Sequence, residues 1–305
     1  MEIYYQGKDI TGMVQVNTCI IRDTAAGRCD SLELEFGNAA GWYSWGPEED
    51  DQVLVAHGGY DSGPMYVNKI LPEDGKYRIL AGSLPCRARE RKYKSFIGWT
   101  IEEIMRSCAA SSGMDYKLFG VDGGTVIPYI ERDNEGCASF LYKLLTLESA
   151  ALKCVNGRYA AISFEYAQAR SAAQTMRLSA KQEGARYRRD GTMYKSVTVK
   201  TPYAEATAED ALVGDNHTGI TINDLPAMNN VQAGRWARGK LLYLNRQCES
   251  VVVQSTFNAG MTALARIDIT GDTDATGTWL VEEVEHDIKN LATTATMRRC
   301  SYSIT

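Results

Sequence analysis

Histidine is scarce in this sequence: three in 305 residues, at positions 57, 217 and 286. Imidazole is the commonest protein ligand for transition metals, so three scattered histidines offer little to hold one. The eight cysteines do not make up the deficit. No two of Cys19, Cys29, Cys86, Cys108, Cys137, Cys154, Cys248 and Cys300 stand two to four residues apart, as a zinc knuckle needs. No metal site and no cofactor are expected. An apolar run of about 18 residues, long enough to span a membrane, is also lacking. The start MEIYYQGKDI carries no positive region followed by an apolar stretch, so nothing routes the chain to an oxidising compartment. The thiols are expected to be reduced and buried, and the product to be cytoplasmic when made.

Excess positive charge is missing too. Lys and Arg number 33 against 38 Asp and Glu, a formal net charge of −5. The cluster singled out as basic is the short Arg186, Arg188 and Arg189. This balance supplies no electrostatic reason to bind duplex DNA or an anionic membrane, and specific nucleic-acid binding is not expected. With 44% hydrophobic and 23% charged residues, the chain has the composition of folded protein and the length of two or three domains.

What is present is mostly strand. Over the first ninety-odd residues apolar side chains recur with period two: Val14, Val16 and Thr18, then Leu32, Leu34 and Phe36, then Val53 and Val55, then Met65, Val67 and Lys69. Turn residues separate them, notably around Gly58 to Pro64 and at Pro72 to Gly75. The pattern predicts an antiparallel, half-buried sheet or small barrel. The segment GWYSWGPEEDD, from Gly41 to Asp51, breaks the alternation as a loop with two tryptophans.

At Thr100 the period changes. Thr100 and Glu103 match a capping box; Ile101, Ile104, Met105, Cys108 and Ala109 share a helical face, and Gly113 is the stop. A second helix is predicted from near Asn134, with Cys137, Phe140, Leu141, Leu144 and Leu145 inward. Then ALKCVNGRYAAISF reads as a hairpin turned by Asn156 and Gly157. Residues 167–185 look like a connector. A strand at Tyr194, Val197 and Val199 stops at Pro202, a polar loop covers Ala204 to Gly219, and a helix runs from about Pro226 to Gln247. Three strands close the chain, Glu249 to Thr256, Gly277 to Asp287 and Thr293 to Ser303. No internal sequence repeat is visible.

Candidate chemistry is thin. His286 ends the run EEVEH, but alternation puts only Glu282 and Val284 on its side of the strand, too few ligands for a divalent metal. His57 sits at a strand end and His217 in the polar loop. Neither G-x-S-x-G nor a Cys with a recognisable His motif occurs. Glu48, Glu49, Asp50 and Asp51 are the densest acidic run and read as a solvated face. Gly120, Gly123 and Gly124 make neither a dinucleotide fingerprint nor a P-loop and are expected to turn a hairpin. Trp42 and Trp45 are the candidate protein-interface residues, while Trp99 and Trp279 read as core or rim. Paired carboxylates far apart in sequence stay open as a glycosidase-like alternative.

Several stretches in a fixed order resemble the baseplate hub proteins of phage tails, the late-control D family and its relatives in contractile injection systems. They are GKDIT with the strands after it; DSLELEF leading through the tryptophan loop to DQVLVAHGG; the helix IEEIMRSCAASSGM; YIERDNEGCASFLYKLLTLESAALKCVNGRYAAISF; and GMTALARIDITGDTDATGTWLVEEVEHDI, with its V-x-H ending on Val284 and His286. Where related sequences often carry Ser-Asp before the helix, this one has Glu135, Gly136 and Cys137. It also lacks an attached spike or lysozyme domain, so a needle or cell-wall enzyme is expected on a separate polypeptide.

The resemblance implies a mainly β, α+β chain in which two tube-like antiparallel β-barrels flank a small α/β unit. The expected divisions are residues 1–96, 97–185 and 186–305, the last with a helical insertion at about 220–248. It further implies a structural protein, not an enzyme, forming a homotrimeric ring that adapts a sixfold tail tube to a threefold central spike. Partners would be the tail tube protein, the central spike protein, baseplate wedge proteins and the tape measure protein, within a virion or tail-like particle assembled in the bacterial cytoplasm. The rival readings are a tail-associated cell-wall hydrolase and a carbohydrate-binding tail protein using Trp42 and Trp45.

Overall fold

Turn-bounded alternation at the amino end becomes eight strands in the computed structural model, which describes residues 1–37, 46–73, 75–179, 185–271, 274–300 and 304. They are β1 (Glu2–Tyr5), β2 (Lys8–Asp9), β3 (Val16–Thr24), β4 (Ser31–Phe36), β5 (Gln52–His57), β6 (Tyr60–Asp61), β7 (Met65–Glu73) and β8 (Lys76–Gly82). Leu32, Leu34, Phe36, Val53, Val55, Met65 and Val67 are buried together in one cluster, as their period requires. Strand β3 departs from the expected face. Val16 pairs with Phe36 and Thr18 with Glu35, so Asn17 is an extra residue and the side chains beyond it swap sides. The buried pair is Cys19 and Ile21, not Val16 and Thr18.

The middle unit holds β9 (Lys92–Thr100), α1 (Ile101–Ser112), β10 (Asp115–Phe119), β11 (Val126–Glu135), α2 (Cys137–Leu147), β12 (Ala150–Val155), β13 (Arg158–Ser163) and α3 (Phe164–Ala169). Helix α1 starts with the capping box formed in both directions between Thr100 and Glu103 and ends on Gly113 at φ +67°. The second helix begins at Cys137, three residues beyond Asn134, and buries the expected stripe. Asn156 and Gly157 both take positive φ, +50° and +67°, and close the β12–β13 hairpin. The glycines at 120–124 do not turn a hairpin. Strand β10 pairs in parallel with β13 while β11 pairs with β9, so the turn is a crossover, and its Gly123 and Thr125 carbonyls accept the Glu102 and Ile101 N–H groups of α1.

The rest comprises β14 (Gln174–Leu178), β15 (Ala185–Arg189), β16 (Ser196–Lys200), β17 (Glu205–Glu209), β18 (Gly219–Ile222), α4 (Asn230–Gln247), β19 (Glu249–Thr256), β20 (Arg266–Gly271), β21 (Gly277–Asp287) and β22 (Ala292–Arg299). The expected connector therefore contains a strand, β14, in parallel register with β20. The expected polar loop likewise contains β17, paired with β16. Helix α4 begins after Pro226, where the Asn229 side chain caps the Gln232 N–H.

In all, 49% of the chain is strand and 19% helix, a mainly β, α+β fold. Strands of the first half and the last third join one large sheet, in the order β15-β19-β22-β21-β3-β4-β8-β7-β5-β1-β2. Each half has its own apolar core, the second built on Trp279, Val281, Val284 and Met297. Strands β16–β18 form a separate small sheet, and the apolar side of α4, including Trp236 and Leu241, joins the core of the middle unit. Residues from β16 through α4 thus pack on the middle unit, away from the second half's own core.

Candidate functional site at the joint between the two halves

Strand β21 serves both halves of the large sheet. Its first residues pair with β20, from Gly277 to Leu280; beyond a bulge at Glu282 it turns to β3, with Glu283 opposite Thr24 and Asp287 opposite Ile20. The halves are thereby hydrogen-bonded edge to edge, and Arg22 and Glu285 pair across the seam at 2.9 Å. The same bulge decides the fate of EEVEH. Glu282 leaves the side of His286 to bind Arg298 at 2.6 Å.

His286 is fully buried at the seam. Its Nε2 lies 3.0 Å from the Met261 carbonyl, which can only accept, so Nε2 carries the hydrogen and Nδ1 accepts from the Thr293 hydroxyl, also at 3.0 Å. Burial pushes its pKa below the ordinary value and keeps the ring neutral. Tyr60 from the first half and Phe257 from the second pack on it at 4.6 and 5.3 Å, and His57 meets Phe257 edge-on at 4.9 Å. His286 is therefore a packing and hydrogen-bonding residue. His217 contacts the Met193 carbonyl elsewhere.

Beside this cluster three charges are buried. Lys153 Nζ donates to Asp23 Oδ1 at 2.6 Å, to Asp30 Oδ1, and to the Thr24 carbonyl at 3.3 Å. Asp30 also accepts from the Thr24 N–H, and Asp23 from the Ala263 N–H. Lys153 belongs to the middle unit, the two aspartates to the first half and Ala263 to the last third, so one cluster ties all three parts. Burial pushes the Asp30 carboxyl up to about 6 against the pull of Lys153. The two carboxylates outweigh burial at Lys153 and hold its pKa above the usual value. Sequence reasoning missed this cluster. Its available signal was a lysine inside the apolar run AALKCV and an aspartate after CIIR, each on a strand side otherwise apolar.

The other candidates scatter. Trp42 and Trp45 lie outside the described residues. Trp279 is core, with Nε1 donating to the Ala275 carbonyl at 2.7 Å; Trp99 is half-buried, with the Lys94 ammonium 4.9 Å from its ring. The acidic run is partly structural: Asp50 accepts from the Cys86 N–H, Asp51 from the Tyr5 hydroxyl, and Glu49 faces Arg89. A longer basic stretch than Arg186 to Arg189 lies at 87–94, with Arg87, Arg89, Arg91, Lys92 and Lys94. Several of these charges are engaged within the chain, Lys92 with Glu90 and Lys94 with Ser107. All eight cysteines are free, and Cys86 is exposed rather than buried.

An open groove of about 460 Å³ contains Glu148 and Glu165, the kind of carboxylate pair a hydrolase would need. Both Glu148 oxygens are already acceptors, however, from Arg235 and from Trp236 Nε1 at 2.9 Å, so this carboxylate anchors α4. Among the described residues no group of three or more His, Cys, Asp or Glu could hold a metal ion, and no helix is long and apolar enough to cross a membrane.

No family model and no curated protein matches the sequence. Solved structures do match the fold. The chain is similar to a 43 kDa tail protein of prophage MuSo2 from Shewanella oneidensis, with 12% identity, 98% of each chain covered and a TM-score of 0.73. It is similar to a tail protein from Neisseria meningitidis, with 10% identity, 98% of this chain and 95% of that one covered, and a TM-score of 0.74. It is also similar to the c3393 protein of E. coli, a type VI secretion system component described as structurally similar to the T4 tail proteins gp27 and gp5, with 11% identity, coverage of 93% and 73%, and a TM-score of 0.59. From one end to the other, the chain has the fold of phage tail proteins.

Proposed function

We propose that this protein is a structural hub of a baseplate, in a phage tail or a tail-like contractile injection particle. Three copies form a ring in which each chain supplies two barrel-like modules, divided near residues 96/97 and 185/186. Six modules then meet a sixfold tail tube while the threefold ring seats a central spike; wedge proteins and the tape measure protein complete the contacts. Its role is non-enzymatic, and its place is the assembled particle, put together in the bacterial cytoplasm. One observation carries this reading: two sheet modules in one chain, joined side by side through β3 and β21. Such a joint suits a ring wall, because each module keeps an open edge for the next. The likeness in fold to tail proteins supports it. Electron microscopy of the assembled particle with this chain labelled tests it: the label should form a threefold ring at the lower end of the tube, and a label elsewhere rejects the proposal.

A further inference from the structure

The two halves repeat one strand order that the sequence conceals. The first runs β3-β4-β8-β7-β5 and the second β15-β19-β22-β21-β20, and every neighbouring pair in both runs is antiparallel. A bulge falls at the same place in each: between Val67 and Lys69 in β7, and between Val281 and Glu283 in β21. Before the bulge each strand pairs with its inner neighbour, β7 with β5 through Met65 and Tyr66, β21 with β20 through Gly277 to Leu280. Beyond the bulge they differ. Glu283 to Asp287 of β21 pair with β3, whereas Lys69 to Glu73 of β7 have, among the described residues, ladder partners only in β8. The counterpart of β3, strand β15, pairs among the described residues only with β19. One copy of the joint is made within the chain, and the two sides of a second copy are left unpaired among the described residues.

The ladders give its register. Lys69, Leu80, Glu33 and Ile20 lie in line across the first half, and Glu283, Thr296, Val252 and Arg186 across the second. Arg186 therefore stands where Ile20 stands, and Arg188 where Arg22 stands. In the existing joint Asp287 faces Ile20, Glu285 faces Arg22 and Glu283 faces Thr24. Carried over, Glu73 faces Arg186, Leu71 faces Arg188 and Lys69 faces Asp190. Two of these three pairs are oppositely charged, and Lys69, Glu73, Arg186 and Asp190 are all exposed. Opposite charges directly across a strand pair stabilise it, and like charges would oppose it. Pro72 falls opposite Tyr187, at a position where the existing joint exchanges backbone hydrogen bonds, so the second joint has one donor fewer. It is weaker than β3 on β21 and suited to forming during assembly.

From this we infer that β15 of one copy adds antiparallel to Lys69–Glu73 of a second copy, head to tail, so that the sheet continues from chain to chain. The inference rests on the ring reading above and names the surface that closes the ring. A head-to-tail contact yields a closed ring when its rotation closes and an open filament when it does not.

Cysteines at Leu71 and Arg188 test it. This pair occupies a narrow, non-exchanging position with Cα atoms about 4.5 Å apart, within the span of roughly 4.4–6.8 Å that a disulfide bridges. The full chain carrying Leu71→Cys, Arg188→Cys and Cys86→Ser, concentrated and oxidised with copper phenanthroline, should give a non-reducing ladder that stops at three chains. A mixture of the two single-cysteine variants should stop at two. Trimers seen by sedimentation without cross-linking would overturn this edge pairing and leave the ring reading standing. A ladder that passes three would uphold the pairing and overturn the threefold ring. Single chains with no cross-link at all would overturn both. Independently, Glu73→Arg and Arg186→Glu should each weaken self-association about two- to fivefold, and the double reversal should restore it; no restoration overturns the register.

Discussion

Lys153 Nζ stands 2.6 Å from Asp23 Oδ1, joining the middle unit to the first half across 130 positions of sequence. A second carboxylate, Asp30, shares the same ammonium, and all three residues are almost fully buried. The cluster lies beside the seam where β3 meets β21, so the middle unit is held by charge at the place where backbone bonds join the two halves.

Removing the shared cation should be the most damaging single change at the joint. Lys153→Met leaves two carboxylates buried without compensation, and breaking a buried ion pair in this way costs about 3–5 kcal/mol. Asp30→Asn keeps an acceptor for the Thr24 N–H and leaves Lys153 paired with Asp23, so it should cost much less. Urea midpoints of the two variants check the ranking; equal losses would mean that the cluster is not acting through charge.

The Asp30 carboxyl has a folded-state pKa raised to about 6, above the unfolded aspartate value of about 3.9. A group shifted upward contributes stability that is fully present below its unfolded pKa and is lost as pH rises through the folded one. Between about pH 4 and pH 6, then, the parent protein should lose stability relative to Asp30→Asn, and the difference should level off above that window. Paired denaturation curves across this range measure it. A difference that does not change with pH would place Asp30 at its ordinary value.

The expectations that held rest on neighbouring residues. Thr100, Glu103 and Gly113 bound α1 by capping chemistry that acts within one turn, and Asn156 with Gly157 close a hairpin by their own φ preferences. What escaped detection depends on residues far apart. Strand β17, EATAE, buries only Ala208, too little to produce a period-two signal. The repeat of strand order is a property of pairing, and side chains at equivalent places, such as Ile20 and Arg186, share no chemistry. The Lys153 cluster similarly brings together positions 23, 30 and 153, which no local pattern links.

Helix α4 crosses the end of α2 at a glycine. A Cβ built on Gly239 would lie 2.1 Å from the Leu147 carbonyl oxygen and 2.6 Å from that of Thr146. Both are backbone atoms and cannot swing aside, so Gly239→Ala must push α4 off the middle unit, at a cost of about 3 kcal/mol or more. Gly234→Ala on the same helix is the control, because its Cβ would meet only Ala206 at an ordinary 3.8 Å. There the gain in helix propensity should stabilise by up to about 1 kcal/mol. Chemical denaturation of both separates a close crossing from a general intolerance of the helix to substitution.

Cys137 opens α2 as its first residue, with Arg132 Nη1 2.9 Å and Ser111 Oγ 3.1 Å from its sulfur. The hydrogen bond from Cys108, followed by those from Ser111 and Ser112 and the charge of Arg132, outweighs burial and brings the thiol down to about 5. A helix N-terminus favours a thiolate in the same sense. A pKa lowered on folding gives stability that is present above the unfolded value of about 8.5 and is lost as pH falls through the folded one. The margin of the parent over Cys137→Ser should therefore shrink steadily from about pH 8.5 down to pH 5. Thiolate absorbance at 240 nm gives a direct reading that needs no reagent to reach the buried sulfur. One thiolate should be present at pH 7, disappear with a midpoint near 5, and be absent from Cys137→Ser. In Arg132→Met the midpoint should move upward, since the nearest full positive charge is gone. A parent protein with no absorbance change below pH 7 would show that Cys137 is a neutral thiol and that Arg132 is held only by the Glu90 and Glu135 carbonyls.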